Sequence, residues 1–347
     1  MRIGFFINDI ATEQANYTST LLALEAHRRG HEAWYLSAAD FAYGIDDRLY
    51  ARARSVTKKK YESNEAYLKE LQGAKAAVET ICIEDLDVLL LRSDPAAEMI
   101  ERPWAQSVGV NFGQMAAERG VIVLNDPQGL AKATNKLYFQ QFPEEVRPKT
   151  IITRHIDDVR HFLKEMGGRA ILKPLQGSGG QNVFQVTKEN SGNLSQMADA
   201  VFRDGYAIVQ EYLPAAEKGD TRFFLLNGAP FEHDGKYAAL ARIKSGGDVR
   251  SNMHAGGKAA RAKVTDAMLH IAEIVRPKLV RDGMFLVGLD IAGDKLMEIN
   301  VFSPGGLHSI SKLTRVSFGQ LVIEALERKV QYEQYDRRLE NAEVAVL

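Results

Sequence analysis

The chain has 347 residues, a length that corresponds to roughly two to three domains and can bury sizeable cores without disulfides or structural metal. Its 44 lysines and arginines nearly balance its 45 aspartates and glutamates, so charge gives no reason to expect binding to nucleic acid or to a membrane surface. The single cysteine, Cys82, excludes a disulfide framework within the chain and any metal site built from several cysteines.

The first 128 residues alternate between apolar strands and helices. Residues 2–8, "RIGFFIN", are typical of a buried strand, and a helix and a second strand follow within about forty residues, which indicates a parallel sheet. The apolar run 88–91 predicts a further strand that delivers Arg92 and Asp94 at its carboxyl end. Open α/β sheets bind ligands at that end. We therefore predict an N-terminal α/β domain over residues 1–128.

The opening residues, "MRIGFFINDIATEQ", reach acidic and polar positions quickly and lack the apolar region of a signal peptide. Apolar runs elsewhere are shorter than the ~20 residues that span a bilayer. We expect a cytoplasmic protein that binds neither membranes nor nucleic acid.

From about residue 130, strands separated by short helices and glycine turns replace the regular alternation, which favours α+β architecture. We predict a central subdomain at 129–210, a C-terminal subdomain at 211–330 and a peripheral tail at 331–347. The segment 245–262 is rich in glycine and small polar residues, and loops of this length are usually functional or mobile.

The segment 171–186, "ILKPLQGSGGQNVFQV", contains a glycine-rich loop that consists of Gly177, Ser178, Gly179 and Gly180. Backbone N–H groups of such a loop can bind phosphate, and Lys173 brings a cation to its entrance. The loop has neither the Walker nor the Rossmann pattern. The residues alone leave two interpretations open, a phosphate-binding loop and an ordinary hairpin connection.

The segment "GLDIAGDKLMEINVFSPGG" places Asp290 on one predicted strand and Glu298 and Asn300 two apart on the next. The spacing puts the last two on one face, and their oxygen atoms suit Mg²⁺. The alternative is an acidic hairpin that faces solvent. Because the flanking residues are apolar, we expect both strands to be mostly buried, which favours the metal site.

Five cations are spread along the middle of the chain: Lys136, Lys173, Arg222, Arg242 and Arg250. Each alone could be a solvated surface charge. Arg242 differs because it interrupts an apolar strand, "YAALARIKSGG", where a buried guanidinium needs an anionic partner.

Six segments together resemble the ATP-grasp superfamily and, within it, the bacterial glutathione synthetases. They occur in the family's order over residues 2–330: "LRSDP", "NDPQGLAKATNKLY", "ILKPLQGSGGQNVF", "QEYLPAAEKGDTRFFLLNGAP", "ALARIKSGGDVRSNMHAGGKA" and "FLVGLDIAGDKLMEINVFSP". The resemblance implies an ATP-grasp fold behind the N-terminal α/β domain. It also implies that ATP is held between two antiparallel sheets, with a mobile lid at 245–257.

The resemblance also implies roles for individual residues. ATP contacts fall on Lys136, Lys173, Gly177, Ser178, Gly179, Gly180, Glu211, Tyr212, Leu213 and Asp220, with the last near the ribose. Two Mg²⁺ ions, for which Mn²⁺ could substitute, fall on Asp290, Glu298 and Asn300. The transferring phosphoryl group faces Arg222, Arg242, Arg250 and Asn252. Arg92 and Asp94 anchor the peptide substrate, and the acceptor amine lies by Ser303, Gly305 and Gly306.

The implied reaction joins γ-glutamylcysteine to glycine through an acyl phosphate, with ATP as the phosphoryl donor. Such a transfer needs positioning and charge neutralisation rather than a protein nucleophile. Where the family typically has Ser-Pro-Thr, this chain has Ser303-Pro304-Gly305-Gly306, so a related ligase with another amine or peptide is one alternative. A nucleotide-binding regulatory protein without turnover is another. The resemblance further suggests a homo-oligomer.

Overall fold

The computed structural model describes residues 1–177, 182–243, 258–336 and 339–347. The N-terminal strands are β1 (Arg2–Phe6), β2 (Glu32–Leu36), β3 (Phe41–Tyr43), β4 (Leu49–Ser55), β5 (Ala77–Cys82), β6 (Val88–Leu91) and β7 (Ile122–Leu124). The helices among them are α1 (Thr18–Arg28), α2 (Asn64–Gln72), α3 (Val108–Glu118) and α4 (Pro127–Lys132).

The N-terminal strands form one sheet in the order β3-β4-β2-β1-β6-β7, and β5 pairs with β4. β1 runs parallel to β2 and β6, and β6 runs parallel to β7. All four residues of β6 are buried, as expected for a strand covered on both faces. The helix α1 ends in a basic turn before Gly30, whose positive φ of 83° suits glycine. The predicted α/β architecture is confirmed.

The central part is a second sheet, antiparallel in the order β10-β9-β11-β8. Its elements are β8 (Thr150–Thr153), α5 (Ile156–Glu165), β9 (Ala170–Pro174), β10 (Phe184–Val186), α6 (Leu194–Phe202) and β11 (Ala207–Glu211). α5 buries Val159, Phe162 and Leu163 along one face, which is the spacing of an amphipathic helix. The predicted boundary after residue 210 falls inside β11, because Glu211 still pairs with Ala170.

The C-terminal sheet has the order β17-β16-β12-β18-β19, with β13 beside β12. Its strands are β12 (Gly219–Leu226), β13 (Ala229–Pro230), β16 (Ala239–Ile243), β17 (Lys258–Arg261), β18 (Leu286–Ala292) and β19 (Lys295–Asn300), and a small hairpin consists of β14 (Glu232–His233) and β15 (Lys236–Tyr237). The helices are α7 (Asp266–Arg281), α8 (Leu307–Thr314), α9 (Phe318–Tyr335) and α10 (Asn341–Val344). None of the described helices is long and apolar enough to cross a membrane.

The apolar cores show how the three parts are joined. Two clusters of buried side chains each combine residues of the N-terminal and C-terminal parts, as Leu89 and Leu289 do in the first. A third cluster contains only central residues, among them Phe162 and Leu172. The first and last sheets therefore pack as one unit, whereas the central sheet has a core of its own.

The tail, predicted to be peripheral, makes specific contacts with the rest of the chain. Lys329 is fully buried in α9 and donates to the carbonyls of Val344 and Leu347 at 3.0 and 2.9 Å. The Asn341 side chain exchanges two 2.8 Å hydrogen bonds with the backbone of Val123 on β7. Because β7 is an edge strand with unpaired backbone groups, it needs such a cover, and the tail provides it.

Candidate active site

The two predicted phosphate-binding lysines lie together between the central and C-terminal sheets. Lys136 Nζ donates to Gly177 O at 2.6 Å and to Pro174 O at 3.4 Å. Lys173 Nζ donates to Gln210 Oε1 at 3.0 Å. Burial lowers the pKa of Lys173 to about 8, with Glu298 opposing the shift and the neighbouring Lys136 adding to it. Burial likewise lowers the pKa of Lys136, against the attraction of Glu298 and Asp94.

The glycine-rich loop connects two antiparallel neighbours, β9 and β10. Gly177 has a φ of 104°, a conformation that favours glycine. Its carbonyl is bound by Lys136, so a cation lies at the entrance of the loop. Ser178, Gly179 and Gly180 lie outside the described residues. The segment therefore joins two paired antiparallel strands, as the hairpin interpretation states. Phosphate binding by the loop stays a prediction.

The predicted adenine-binding hinge begins at Glu211, the last residue of β11, and continues through Tyr212 and Leu213 towards β12. The guanidinium of Arg169 lies 3.6 Å from the centroid of the Tyr212 ring and donates to Glu217 Oε1 at 2.9 Å. Tyr212 donates its hydroxyl to the same oxygen at 3.1 Å. The Glu211 carboxylate accepts from Lys149 N at 3.1 Å. The hinge is therefore braced by groups on both of its sides.

A buried charge network crosses the C-terminal sheet. Arg222 donates to both oxygens of Asp290 at 2.7 Å, and Arg242 donates to both oxygens of Asp220 at 2.6 and 2.8 Å. Arg242 Nη2 also lies 2.7 Å from Asp290 Oδ2. The strand register brings these residues together, because Asp220 lies opposite Arg242 and Arg222 lies opposite Asp290 on neighbouring strands. Arg242 was expected to need an anionic partner, and it has two, Asp220 and Asp290.

The protonation of Asp290 follows from its neighbours. Burial alone would raise the pKa of this carboxyl, which is 3% exposed, but the charges and hydrogen bonds of Arg222 and Arg242 outweigh it and lower the pKa to about 2. Asp290 is therefore a carboxylate at neutral pH. Among the described residues, two guanidiniums therefore pair with the side chains of two aspartates, Asp290 and Asp220.

The candidate metal ligands share one face of the β18–β19 pair. Asp290 lies opposite Glu298, and Asn300 Nδ2 donates to Asp290 Oδ2 at 3.3 Å. The expectation that both strands are buried is wrong for Glu298, which is exposed because β19 is the sheet's edge strand. In the described parts of the chain, no three or more His, Cys, Asp or Glu side chains form a group that could hold a metal.

The donor set nevertheless fits a hard cation. Mg²⁺ is usually held by one or two carboxylates together with substrate phosphates, and Asp290, Glu298 and Asn300 provide two carboxylates and a carboxamide. Each Asp290 oxygen already accepts from a guanidinium, but a carboxylate oxygen has a second lone pair. A cation here would share Asp290 with the two arginines.

The two predicted substrate residues of the N-terminal domain differ in exposure. Arg92 is buried at 6% exposure and donates from Nη2 to Pro304 O at 3.0 Å, so it lies beneath the Ser303–Gly306 loop rather than on an open surface. Burial lowers the pKa of Arg92 to about 10, against the attraction of Glu13. Asp94 is half-buried, and its carboxylate accepts from Ala96 N at 3.0 Å.

The Ser303–Gly306 loop lies between the first and last sheets. Arg222 Nη1 donates to Gly305 O at 3.2 Å, beside the bond from Arg92 to Pro304 O. Gly306 has a φ of 113° and precedes α8, and the space around the Cα of Gly305 is open. The loop is thus fixed by its carbonyls, while the position of Gly305 leaves room for a side chain or a ligand.

Comparison with known proteins decides the family. Residues 1–131 match the model of the prokaryotic glutathione synthetase N-terminal domain, and residues 135–315 match that of the prokaryotic glutathione synthetase ATP-grasp domain. The chain belongs to the prokaryotic glutathione synthetase family. The predicted family and ATP-grasp fold are confirmed. Membership makes the chain an ATP-grasp ligase that forms a carbon–nitrogen bond and uses ATP with a divalent metal ion.

Curated relatives match nearly end to end. The chain is 34% identical to the glutathione synthetase of Escherichia coli O127:H6 (strain E2348/69 / EPEC) over 336 residues, 96% of this chain and 100% of the relative. It is 33% identical to that of Vibrio vulnificus (strain CMCP6) over 334 residues, 95% of this chain and 99% of the relative.

Solved structures share the fold at low identity. D-cycloserine synthetase DcsG gives a TM-score of 0.62 at 15% identity, covering 93% of this chain and 99% of its own. Macrocyclase MdnB from Microcystis aeruginosa MRC gives 0.60 at 13% identity, covering 94% and 98%.

Two further residues of the predicted site lie outside the described part of the chain, in addition to Ser178, Gly179 and Gly180. Arg250 and Asn252, together with the predicted lid at 245–257, belong to the segment 244–257. Their proposed contact with the transferring phosphoryl group stays a prediction.

Sequence reasoning missed two residues that shape the site. Gln210 is buried, accepts from Lys173 and donates to Thr150 Oγ1 at 3.3 Å; its signal was a polar side chain inside the apolar run "AIVQEYL". Arg169 stacks on Tyr212, and no pattern in the sequence distinguishes it from other surface arginines.

Proposed function

We propose that the chain is a glutathione synthetase that phosphorylates the C-terminal carboxylate of γ-glutamylcysteine with ATP and joins it to glycine. ADP and phosphate are the other products. Near-full-length relatives that carry this name support the proposal. The observation that carries it is the Asp220–Arg242–Asp290–Arg222 network, which lies on the sheet facing Lys136 and Lys173.

The nucleotide site is proposed as follows. The ammonium groups of Lys136 and Lys173 neutralise the phosphates, the Gly177–Gly180 loop covers them, and Glu211–Leu213 contact adenine. We propose Asp290, Glu298 and Asn300 as ligands of two Mg²⁺ ions, for which Mn²⁺ could substitute. When bound, these ions neutralise phosphate charge and orient the γ-phosphoryl group.

The chain's own residues then carry the transfer. Arg222, Arg242 and Arg250 provide guanidiniums where charge develops on the transferring group. Asn252 provides a carboxamide at the same place. No side-chain nucleophile is needed, because the substrate carboxylate attacks the phosphoryl group and the amine then displaces phosphate. A covering lid excludes water from the acyl phosphate.

One observation at the acceptor loop favours a second candidate function. Arg92 and Asp94 lie at the carboxyl end of β6, and Ser303, Gly305 and Gly306 form the proposed acceptor loop. The open space at Gly305, where the family typically has threonine, favours a related ligase that accepts another amine or peptide.

In either case we propose a cytoplasmic homo-oligomer that binds small molecules.

Phosphate release measured with γ-glutamylcysteine, with and without glycine, tests these candidates. Release only when both are present supports glutathione synthesis. Release with another amine but not with glycine would favour the second candidate. ATP binding without turnover across a broad panel of substrates would favour a regulatory protein and refute both.

A further inference from the structure

The buried carboxylate of Asp282 binds both ends of the segment that carries Lys136. Asp282 is 3% exposed and lies directly after α7. Its Oδ1 accepts from Lys132 Nζ at 2.8 Å, and its Oδ2 accepts from the Tyr138 hydroxyl at 2.9 Å. Lys136 lies between these two positions in the chain. One carboxylate therefore holds both flanks of the proposed phosphate-binding lysine.

Lys278 is a third donor to the same carboxylate. Its Nζ donates to Asp282 Oδ2 at 2.8 Å and lies 4.6 Å from the centroid of the Tyr138 ring. Burial alone would raise the pKa of this carboxyl, but the hydrogen bonds from Lys132, Lys278 and Tyr138 outweigh burial and lower the pKa. Asp282 is therefore an anion at neutral pH. Hydrogen bonds to a charged acceptor are stronger than those between neutral groups, so this carboxylate is a firm attachment point.

The segment that carries Lys136 packs with the first and last sheets rather than with the central one. Tyr138 and Phe142 belong to the apolar cluster that joins the N-terminal and C-terminal parts. The side chain of Lys136 extends from this unit to the central part, where its Nζ donates to Gly177 O at 2.6 Å, beyond the end of β9. The position of the ammonium group in the cleft therefore depends on how firmly its segment is attached to α7.

We propose that Asp282 is a positioning residue that holds Lys136 at the nucleotide phosphates. This inference rests on the proposed nucleotide site, in which the Lys136 ammonium neutralises phosphate charge. The carboxylate acts through its bonds to Lys132 and Tyr138. A lysine ammonium is a point charge on a flexible stem, so fixing the backbone on both sides of the lysine limits the positions that the ammonium can reach. Binding groups need such support from the residues around them.

The direction of the effect separates positioning from simple charge repulsion. A carboxylate repels phosphate, so if Asp282 acted only through its charge, Asp282→Asn would strengthen the binding of ADP. Positioning predicts weaker binding, because the amide holds Lys132 and Tyr138 less firmly than the carboxylate does. The substitution is nearly isosteric, so it removes the charge and keeps the volume of the side chain.

Calorimetry with ADP and with adenosine, each in the presence of Mg²⁺, measures binding without turnover. We expect Asp282→Asn to raise Kd for ADP about tenfold and to change Kd for adenosine less than about twofold, because only ADP carries the phosphates that Lys136 binds. An unchanged or lowered Kd for ADP would overturn the proposal. Equal losses for both ligands would overturn it as well, since the position of Lys136 concerns the phosphates alone.

A double-mutant cycle shows whether Asp282 acts through Lys136. Lys136→Met should weaken the binding of ADP, and Asp282→Asn should add little to that loss, because the group that it positions is gone. Additive losses would overturn the proposal. If Lys136→Met leaves Kd for ADP unchanged, both the inference and the proposed phosphate contact of Lys136 are wrong. A wild type that forms no glutathione but gives the expected cycle would refute the proposed function and support the inference.

Two further variants separate positioning from a general loss of stability. Tyr138→Phe removes one hydrogen bond to Asp282 and should raise Kd for ADP about two- to threefold; it replaces Asp282→Asn in both tests if that variant does not fold. Glu70→Gln is the matched control, because Glu70 is a buried carboxylate of the N-terminal domain that accepts from Thr57 N and Oγ1 at 2.9 and 2.8 Å. It should lower Tm and leave Kd for ADP unchanged. If it weakens ADP binding as Asp282→Asn does, the proposal is wrong.

Discussion

Arg92 and Arg222 donate to adjacent carbonyls of one loop. Arg92 Nη2 lies 3.0 Å from Pro304 O, and Arg222 Nη1 lies 3.2 Å from Gly305 O. Arg92 follows β6 of the first sheet, whereas Arg222 belongs to β12 of the last. The position of the proposed acceptor loop therefore depends on how these two sheets pack against each other.

Arg92→Met should disturb the loop without opening a large cavity. The variant loses the donor to Pro304 and the positive charge near Glu13. We expect the free energy of unfolding to fall by about 2 kcal/mol, and KM for the acceptor amine to rise more than KM for ATP. Urea unfolding and steady-state kinetics measure the two effects.

Arg2→Met is the control, because the ion pairs of Arg2 with Glu32 and Asp85 are largely open to solvent. Its effect on stability should stay within about 0.5 kcal/mol. If Arg92→Met instead raises KM for the peptide alone, Arg92 contacts that substrate directly and the loop interpretation fails.

Glu13 makes the stability of the fold depend on pH below neutrality. Burial raises the pKa of this carboxyl from 4.5 to about 7, against the hydrogen bond from Thr20 and the charge of Arg92. The folded state keeps a proton that the unfolded chain releases, so raising the pH from about 4.5 to 7 weakens the fold by up to ~3 kcal/mol.

Glu13→Gln should remove this dependence, which urea unfolding at pH 5 and pH 7 measures. The wild type should lose more stability than the variant between the two values. Lys173, whose folded pKa is lowered to about 8, contributes above this window, so it does not mask the effect. Parallel curves for wild type and variant would show that Glu13 is not the group responsible.

Glu298→Gln should separate catalysis from folding. Glu298 is exposed on the edge strand, so its loss should change the free energy of unfolding by less than about 0.5 kcal/mol. Ligation should fall at least about 100-fold, because the variant loses a charge that faces the proposed phosphate and metal site. Phosphate release and urea unfolding test both statements.

Asp294→Asn provides the comparison for Glu298, since it changes an exposed carboxylate in the turn of the same hairpin. It should retain wild-type activity. Normal turnover of the Glu298 variant would refute the metal assignment.

Asn341→Ala should uncover the edge of the first sheet. The side chain exchanges two hydrogen bonds with Val123 and donates a third, at 2.8 Å, to Asp126. We expect a loss of about 1–3 kcal/mol, because buried backbone groups are left unpaired. Hydrogen exchange should accelerate in β7 and stay unchanged in the central sheet, which serves as the internal reference. Equal acceleration in both sheets would contradict the role of the tail.

Local sequence patterns predicted which residues take part in the charge network, but not which of them pair with each other. An arginine inside the apolar run around Arg242 signals a buried cation that needs a partner. Which carboxylate meets it depends on strand register, which joins residues 22 positions apart in the pair with Asp220. Register follows from packing of whole strands rather than from neighbouring residues.

The same reason explains the features that local patterns could not predict. Arg92 was placed correctly at the end of β6, but its cover comes from a loop 212 residues later. Glu298 was expected to be buried because its neighbours are apolar, yet β19 lies at the edge of the sheet. The tail looked peripheral because its polar residues give no sign of the strand edge that Asn341 covers.

The pairing of Asn341 with Val123 has a consequence for synthesis on the ribosome. The two residues are 218 positions apart, so the first sheet emerges with the free edge of β7 long before its cover is translated. Until then β7 can pair with strands of other chains. Completion of the N-terminal domain is thus a late event in biosynthesis, and premature termination before Asn341 would leave an aggregation-prone edge on an otherwise assembled sheet.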